Sequence, residues 1–238
     1  HKTSSAASDV YKRQLLTCPT TSNTLDWQLQ NTIHKFTVEN SGHNLRMVPV
    51  CCGVKDNSDS GDDDDSDDHD DSNDGPEFEN VQSGSNFGVL TDIFDRKYCL
   101  DSFHIHWGQT DTTGSEHRIN GQQSVMEMHF VHYDCNSYTS VSKAIEKEID
   151  ISDESDADPT LAVVSVMFKI GDENPFIQKI VDQVTDLKDA HSKIEITSSD
   201  LSMSEVVPNP LGDYYYYKGS LTTPPCTPVG MLSFLFYI

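Results

Sequence analysis

The chain alternates apolar and polar positions far more often than it spaces them helically. Tyr98 to Trp107 alternates and stops at Gly108, the pattern of a half-buried strand. Ser124 to Tyr133 alternates strictly over its middle. Leu161 to Ile170 is a nearly continuous apolar run, as in a strand covered on both faces. Phe36-Thr37-Val38 is a shorter strand candidate, and Tyr214 to Ser220 and the stretch after Pro225 read as further strand or loop. Pro175 to Leu187 carries Phe176, Ile177, Ile180, Val181 and Val184 at helical spacing and predicts a helix. There is no repeat and no βαβ rhythm. A single, mainly β domain with few helices is the simplest account.

One segment breaks the pattern. Residues 56–79 hold eleven Asp and two Glu with no Lys or Arg, densest in DDDDSDDHDD. Such a tract buries too little apolar surface to offset ordering entropy, so disorder is expected. Two readings of it stand. It is a solvated linker, or it is a flexible carboxylate array that binds many Ca²⁺ ions weakly, since hard cations take oxygen ligands. It has no EF-hand spacing. The tract supplies over half of a net charge of −23, from 16 Lys+Arg against 39 Asp+Glu. That balance argues against nucleic acid and against an anionic membrane surface as partners. No apolar run approaches the ~18 residues of a spanning helix.

The opening SSAASDVYKRQ reads as translated adapter sequence, so residues 1–14 are expected to be a non-native or disordered leader. The domain is then expected over 15–238, cut short at both ends and interrupted by the insert. Six cysteines, none in C-x-x-C, disfavour a Cys₄ zinc site. They fit disulfides of undetermined connectivity in an oxidising compartment, or buried free thiols.

The chemistry lies in the histidines. His104-Ile105-His106 sets two imidazoles two residues apart on a predicted strand, so both point to one face about 7 Å apart. His129 lies on the next strong strand, where Glu127, His129 and Val131 share a face. If the strands are neighbours, three neutral nitrogens converge on one point. Three protein ligands with an open fourth position describe catalytic zinc rather than structural zinc. In a chain with ten His, coincidence is the plain alternative.

These residues stand in a longer pattern. Phe103-His104-Ile105-His106-Trp107-Gly108, Gly114-Ser115-Glu116-His117-Arg118, Glu127-Met128-His129-Phe130-Val131-His132 and Gly219-Ser220-Leu221-Thr222-Thr223-Pro224-Pro225 follow in order. Together they resemble the α-class carbonic anhydrases. The resemblance implies a single domain built on a large, mostly antiparallel twisted sheet. It implies one zinc on His104, His106 and His129, and reversible hydration of CO₂ to bicarbonate and a proton. It implies that Thr222 accepts a hydrogen bond from the attacking oxygen and that Glu116 accepts from the Thr222 hydroxyl. Val131, Val163 and Leu221 would line the CO₂ pocket, with Thr222 and Thr223 also beside substrate. Plain core packing is the alternative for the two valines. Glu127 would orient His129, His117 would support that network, and Ser102 stands where the family places Gln behind the first ligand. His34 would be the proton shuttle, with a surface imidazole as its alternative.

The chain also departs from the family. The tryptophan-rich opening, the pocket tryptophan after Cys226 and the last strands have no counterpart here. Secreted members bridge a cysteine near the domain start to one after T-T-P-P, which implies Cys226, with Cys18 as upstream candidate. A carbonic anhydrase domain split by a low-complexity insert resembles the nacrein-like shell-matrix proteins of molluscs. That likeness implies a secreted, extracellular-matrix protein that meets calcium ions or a calcium carbonate surface. It implies a role in biomineralization. A non-catalytic, calcium-binding matrix protein on the same scaffold is the alternative. Oligomeric state is left open.

Overall fold

Alternating strands with one apolar face must bury that face, and here they do so in one large sheet. The computed structural model describes residues 25–29, 33–50, 87–92, 94–150, 158–185, 187–198, 201–208, 211, 213–222 and 231–237, with only the backbone for 147–150 and 231–237. The acidic tract, the leader, Cys18, Thr223 and Cys226 lie outside them.

The strands are β1 (Asp26–Leu29), β2 (Lys35–Asn40), β3 (Leu45–Pro49), β4 (Gly88–Thr91), β5 (Lys97–Trp107), β6 (Arg118–Ile119), β7 (Gln122–Gln123), β8 (Met126–Tyr133), β9 (Leu161–Phe168), β10 (Lys193–Thr197), β11 (Tyr215–Gly219) and β12 (Met231–Tyr237). Ten of them form a sheet of order β10-β2-β3-β5-β8-β9-β12-β11, with β4 pairing β5 and β1 pairing β4. All pairs are antiparallel except β9 with β12. The mainly β, largely antiparallel fold expected from the sequence is the one observed.

β5 is bulged. Leu100 faces His132 and Ser102 faces Val131, so Asp101 is supernumerary. Tyr98 and Leu100 therefore join Phe103 and Ile105 in the main core, while Ser102, His104 and His106 emerge on the other face. The main core stacks Phe103 on Phe130, and Phe176 packs against it from helix α2 (Pro175–Val184). Asn174 caps this helix by accepting from the Ile177 N–H, and Pro175 opens it. The helix stops at Val184, short of the expected Leu187, but Leu187 still packs in the core. A second cluster lies on the imidazole face under helix α1 (Val141–Asp150): Cys99, Tyr133, Ala144, Leu161 and Val163. Cys99 and Cys135 form a disulfide there, with Cα atoms 5.6 Å apart.

His132 points into the main core, fully buried. Its Nε2 accepts from the Trp27 indole N–H at 3.0 Å, and its Nδ1–H donates to the Phe130 carbonyl at 3.0 Å. Burial lowers its pKa to about 4, against smaller opposing backbone bonds at Phe130 and Ala162. The folded-state value is depressed, so the unfolded chain takes up the proton first as pH falls. Stability is fully present above the unfolded value near 6.5 and is lost between there and about 4, a difference of about 3 kcal/mol. Urea midpoints of the parent and of His132→Asn measured from pH 7 to pH 4 test this. The parent should lose the larger share of its stability over that range, and equal slopes would refute it.

Candidate metal centre

Adjacent antiparallel strands bring directly opposed side chains to one face. The β5–β8 register opposes His104 to His129, His106 to Glu127 and Ser102 to Val131. The three imidazoles thus meet on the face away from the main core. Their ring centroids are 4.9, 5.0 and 4.6 Å apart, and their ligand nitrogens all lie within 4.8 Å of one another.

Behind them runs a second set of polar groups. Glu127 is fully buried and accepts from His129 Nε2 at 2.7 Å, which leaves His129 Nδ1 toward the other two rings. Glu127 also accepts from the His117 backbone N–H at 2.9 Å and bonds the His117 ring, whose far nitrogen bonds the Tyr217 hydroxyl. Burial would raise the Glu127 pKa, but His129 and His117 hold it well below the usual carboxylate range. Burial would lower His129, but Glu127 raises it. His104 falls to about 2 through burial, then through His129, His106 and Arg46. His106 falls to about 4 through burial and then His129, against the opposing pull of Glu116. Two of the three rings are therefore held neutral at physiological pH, the form that ligates metal.

A returning loop supplies Glu116. A Cβ on Gly108 would lie 1.6 Å from the Thr113 carbonyl oxygen, and one on Gly114 would lie 1.9 Å from that of Val125. Only glycine lets the chain cross itself so closely there. Ser115 locks the crossing by accepting from the Ser124 N–H at 2.8 Å. Glu116 Oε2 then stands 3.7 Å from His106 Nε2 and 4.0 Å from His129 Nδ1. His106 Nε2 and Glu116 Oε2 are both buried and lack a hydrogen-bond partner. A buried imidazole nitrogen without a partner, aimed among two others, fits a nitrogen-seeking divalent cation such as zinc.

Other expected residues fall as follows. Val131, Val163 and Leu221 pack in the second cluster, beside the row that holds His129. Thr222 is half-buried and makes no bond to Glu116 Oε2. Ser102 Oγ accepts from Arg46 Nε at 3.3 Å. His34 stands just before β2 and is exposed. His43 is exposed in the β2–β3 turn, next to Asn44 and Leu45, with Leu45 opposite Ile105. Tyr217 and Arg46 carried no local signal, because their partners are far off in sequence.

The chain matches the profile of a family described as eukaryotic-type carbonic anhydrase over residues 65–231. It is 37% identical over 147 residues to "Carbonic anhydrase 1" of Oryctolagus cuniculus, covering 62% of this chain and 55% of that protein. For "Carbonic anhydrase 1" of Mus musculus the identity is 38% over 158 residues, with 62% and 56% covered. For that of Monodelphis domestica it is 36% over 147 residues, with 61% and 51% covered. The chain spans about half the length of the curated relatives it matches. Because the family match runs through both ligand-bearing strands and well over half of the residues, this chain belongs to the eukaryotic-type carbonic anhydrase family.

Proposed function

We propose that this protein catalyses the zinc-dependent, reversible hydration of CO₂. The observation that carries the reading is the convergence of three imidazoles, one with a buried nitrogen left unpartnered. His104, His106 and His129 would hold the ion. A bound zinc supplies Lewis acidity that brings the pKa of water from 15.7 to about 7. The protein's own groups do the rest. Glu127 fixes the His129 tautomer and orientation, backed by His117 and Tyr217. Glu116 Oε2 is an acceptor awaiting a donor, which suits the Thr222 hydroxyl. Val131, Val163 and Leu221 give CO₂ an apolar wall beside His129, which excludes competing water. His34, exposed ahead of β2, is the imidazole that would pass the released proton to solvent, as the family resemblance implies.

The composition of residues 56–79 supports a second activity alongside the first: weak, multiple Ca²⁺ binding. With the disulfide, it supports a secreted protein of a calcifying extracellular matrix. Metal analysis and a CO₂ hydration assay on the same preparation test the pair. One zinc per chain is expected, with hydration lost on chelation and restored by zinc. Deleting 56–79 should remove calcium uptake and leave hydration intact. Hydration that survives complete removal of zinc would sink the first reading, and unchanged calcium uptake the second.

A further inference from the structure

A chain of net charge −23 that makes bicarbonate must also release it, and in reverse capture it, against its own field. A guanidinium stands beside the triad. Arg46 lies opposite His104 in the β3–β5 register, so both side chains leave the same face. The bulge brings two consecutive side chains within its reach: Arg46 Nη2 donates to Asp101 Oδ2 at 2.8 Å, and Nε donates to Ser102 Oγ at 3.3 Å. These two bonds fix the plane of the guanidinium. Among the described residues no hydrogen bond from Nη1 is found, and the side chain is 37% exposed, so part of the guanidinium meets solvent on the face that carries the triad. The same row continues through Glu39 to Lys193, which pair with each other at 3.5 Å, so the next cation along it is already engaged.

We propose that Arg46 is an anion-capture residue beside the triad, specific for a small planar oxyanion of the bicarbonate class. The guanidinium fork matches two oxygens of such an anion, and the group stands opposite a triad strand residue with part of its surface exposed. Asp101 holds the group in place and competes with the anion for it. The proposal rests on the hydration reading. It concerns a residue that contacts the substrate of the reverse reaction, not a ligand.

The test uses full-length protein with cobalt in place of zinc, titrated with bicarbonate and read by visible absorption. CO₂ hydration by the zinc form is measured beside it. Arg46→Met should raise the bicarbonate dissociation constant about fivefold, the scale of a charged hydrogen bond reduced by partial exposure. The KM for CO₂, which carries no charge, should stay unchanged. Arg46→Lys should restore part of the loss. Asp101→Asn, which removes the competitor, should tighten bicarbonate binding. A merely structural role predicts the reverse for that last variant. Equal titration of Arg46→Met and the parent overturns the proposal, as does weaker binding by Asp101→Asn. If Arg46→Met loses its circular dichroism, the sign of the Asp101→Asn effect decides alone. A parent that hydrates no CO₂ and whose spectrum ignores bicarbonate overturns the hydration reading, and this one with it.

Discussion

His106→Ala is expected to weaken zinc binding by roughly three orders of magnitude, the share of one ligand in a site of about 10–16 kcal/mol, and to bring CO₂ hydration to background. The ring is attached to the central strand β5, and its Nε2 has no other bond to lose. The substitution therefore removes a ligand while leaving the sheet's hydrogen bonds in place. Near-UV and far-UV circular dichroism should match the parent. One neighbour complicates the readout in a useful way. Glu116 Oε2 is 3.7 Å from the vacated nitrogen and can move in as a substitute ligand. A carboxylate there would retain some metal but neutralise part of its charge, so zinc content would recover more than hydration does. His106→Ala combined with Glu116→Gln should then lose the remaining zinc. Parent-like zinc content and hydration in His106→Ala would show that the triad is not the metal site.

Reducing the Cys99–Cys135 disulfide, or replacing both cysteines by alanine, is expected to cost about 3–4 kcal/mol of unfolding free energy. The bond closes a loop of 36 residues, and the chain-entropy model scales with that length. That loop contains every residue of the site so far described on β5, the crossing loop and β8: Ser102, His104, His106, Glu116, His117, Glu127, His129 and Val131. The unfolded chain with the bond intact keeps these ligands within one closed ring. Guanidinium denaturation of the metal-free protein, with and without reductant, measures the difference as a shift in midpoint. Coincident curves would mean that the bond constrains nothing in the unfolded state. Zinc should raise both curves by the same free energy, because it binds the folded state of either form, and leave the gap between them in place.

The ligand face was legible because it depends on local spacing alone. Period two in H-x-H and in Glu127-His129-Val131 fixes which side chains share a face, whatever the rest of the chain does. The long strands and helix α2 were legible for the same reason. What escaped has a common physical cause. β3 is five residues long and includes Arg46 and Pro49; β10 is equally short and alternates charged with apolar residues. Such strands persist because long-range partners hydrogen-bond them, which no local window registers. Helix α1 differs: Val141, Ala144, Ile145 and Ile149 stand at helical spacing, in a short segment rich in charge. The disulfide was one of several pairings the cysteine count allowed.

The bulge at Asp101 misled in a more instructive way. Unbroken alternation from Tyr98 would set Tyr98 and Leu100 on the imidazole side, yet both are in the main core. Tyr98-Cys99-Leu100 is apolar throughout, so that run alone does not say which of its side chains faces which side; the only break in the pattern is the pair of polar residues Asp101 and Ser102.

That change of phase partitions β5 into two independently tunable halves. Upstream of it Tyr98 and Leu100 face the main core; downstream the same parity, Ser102, His104 and His106, faces the triad side. Substitutions at Asp101 and Ser102 can change the polar groups beside the triad without rotating either imidazole, because pairing beyond Ser102 is anchored by β3 on one side and β8 on the other. One surplus residue thus lets inherited chemistry stay fixed while the entrance beside it diversifies.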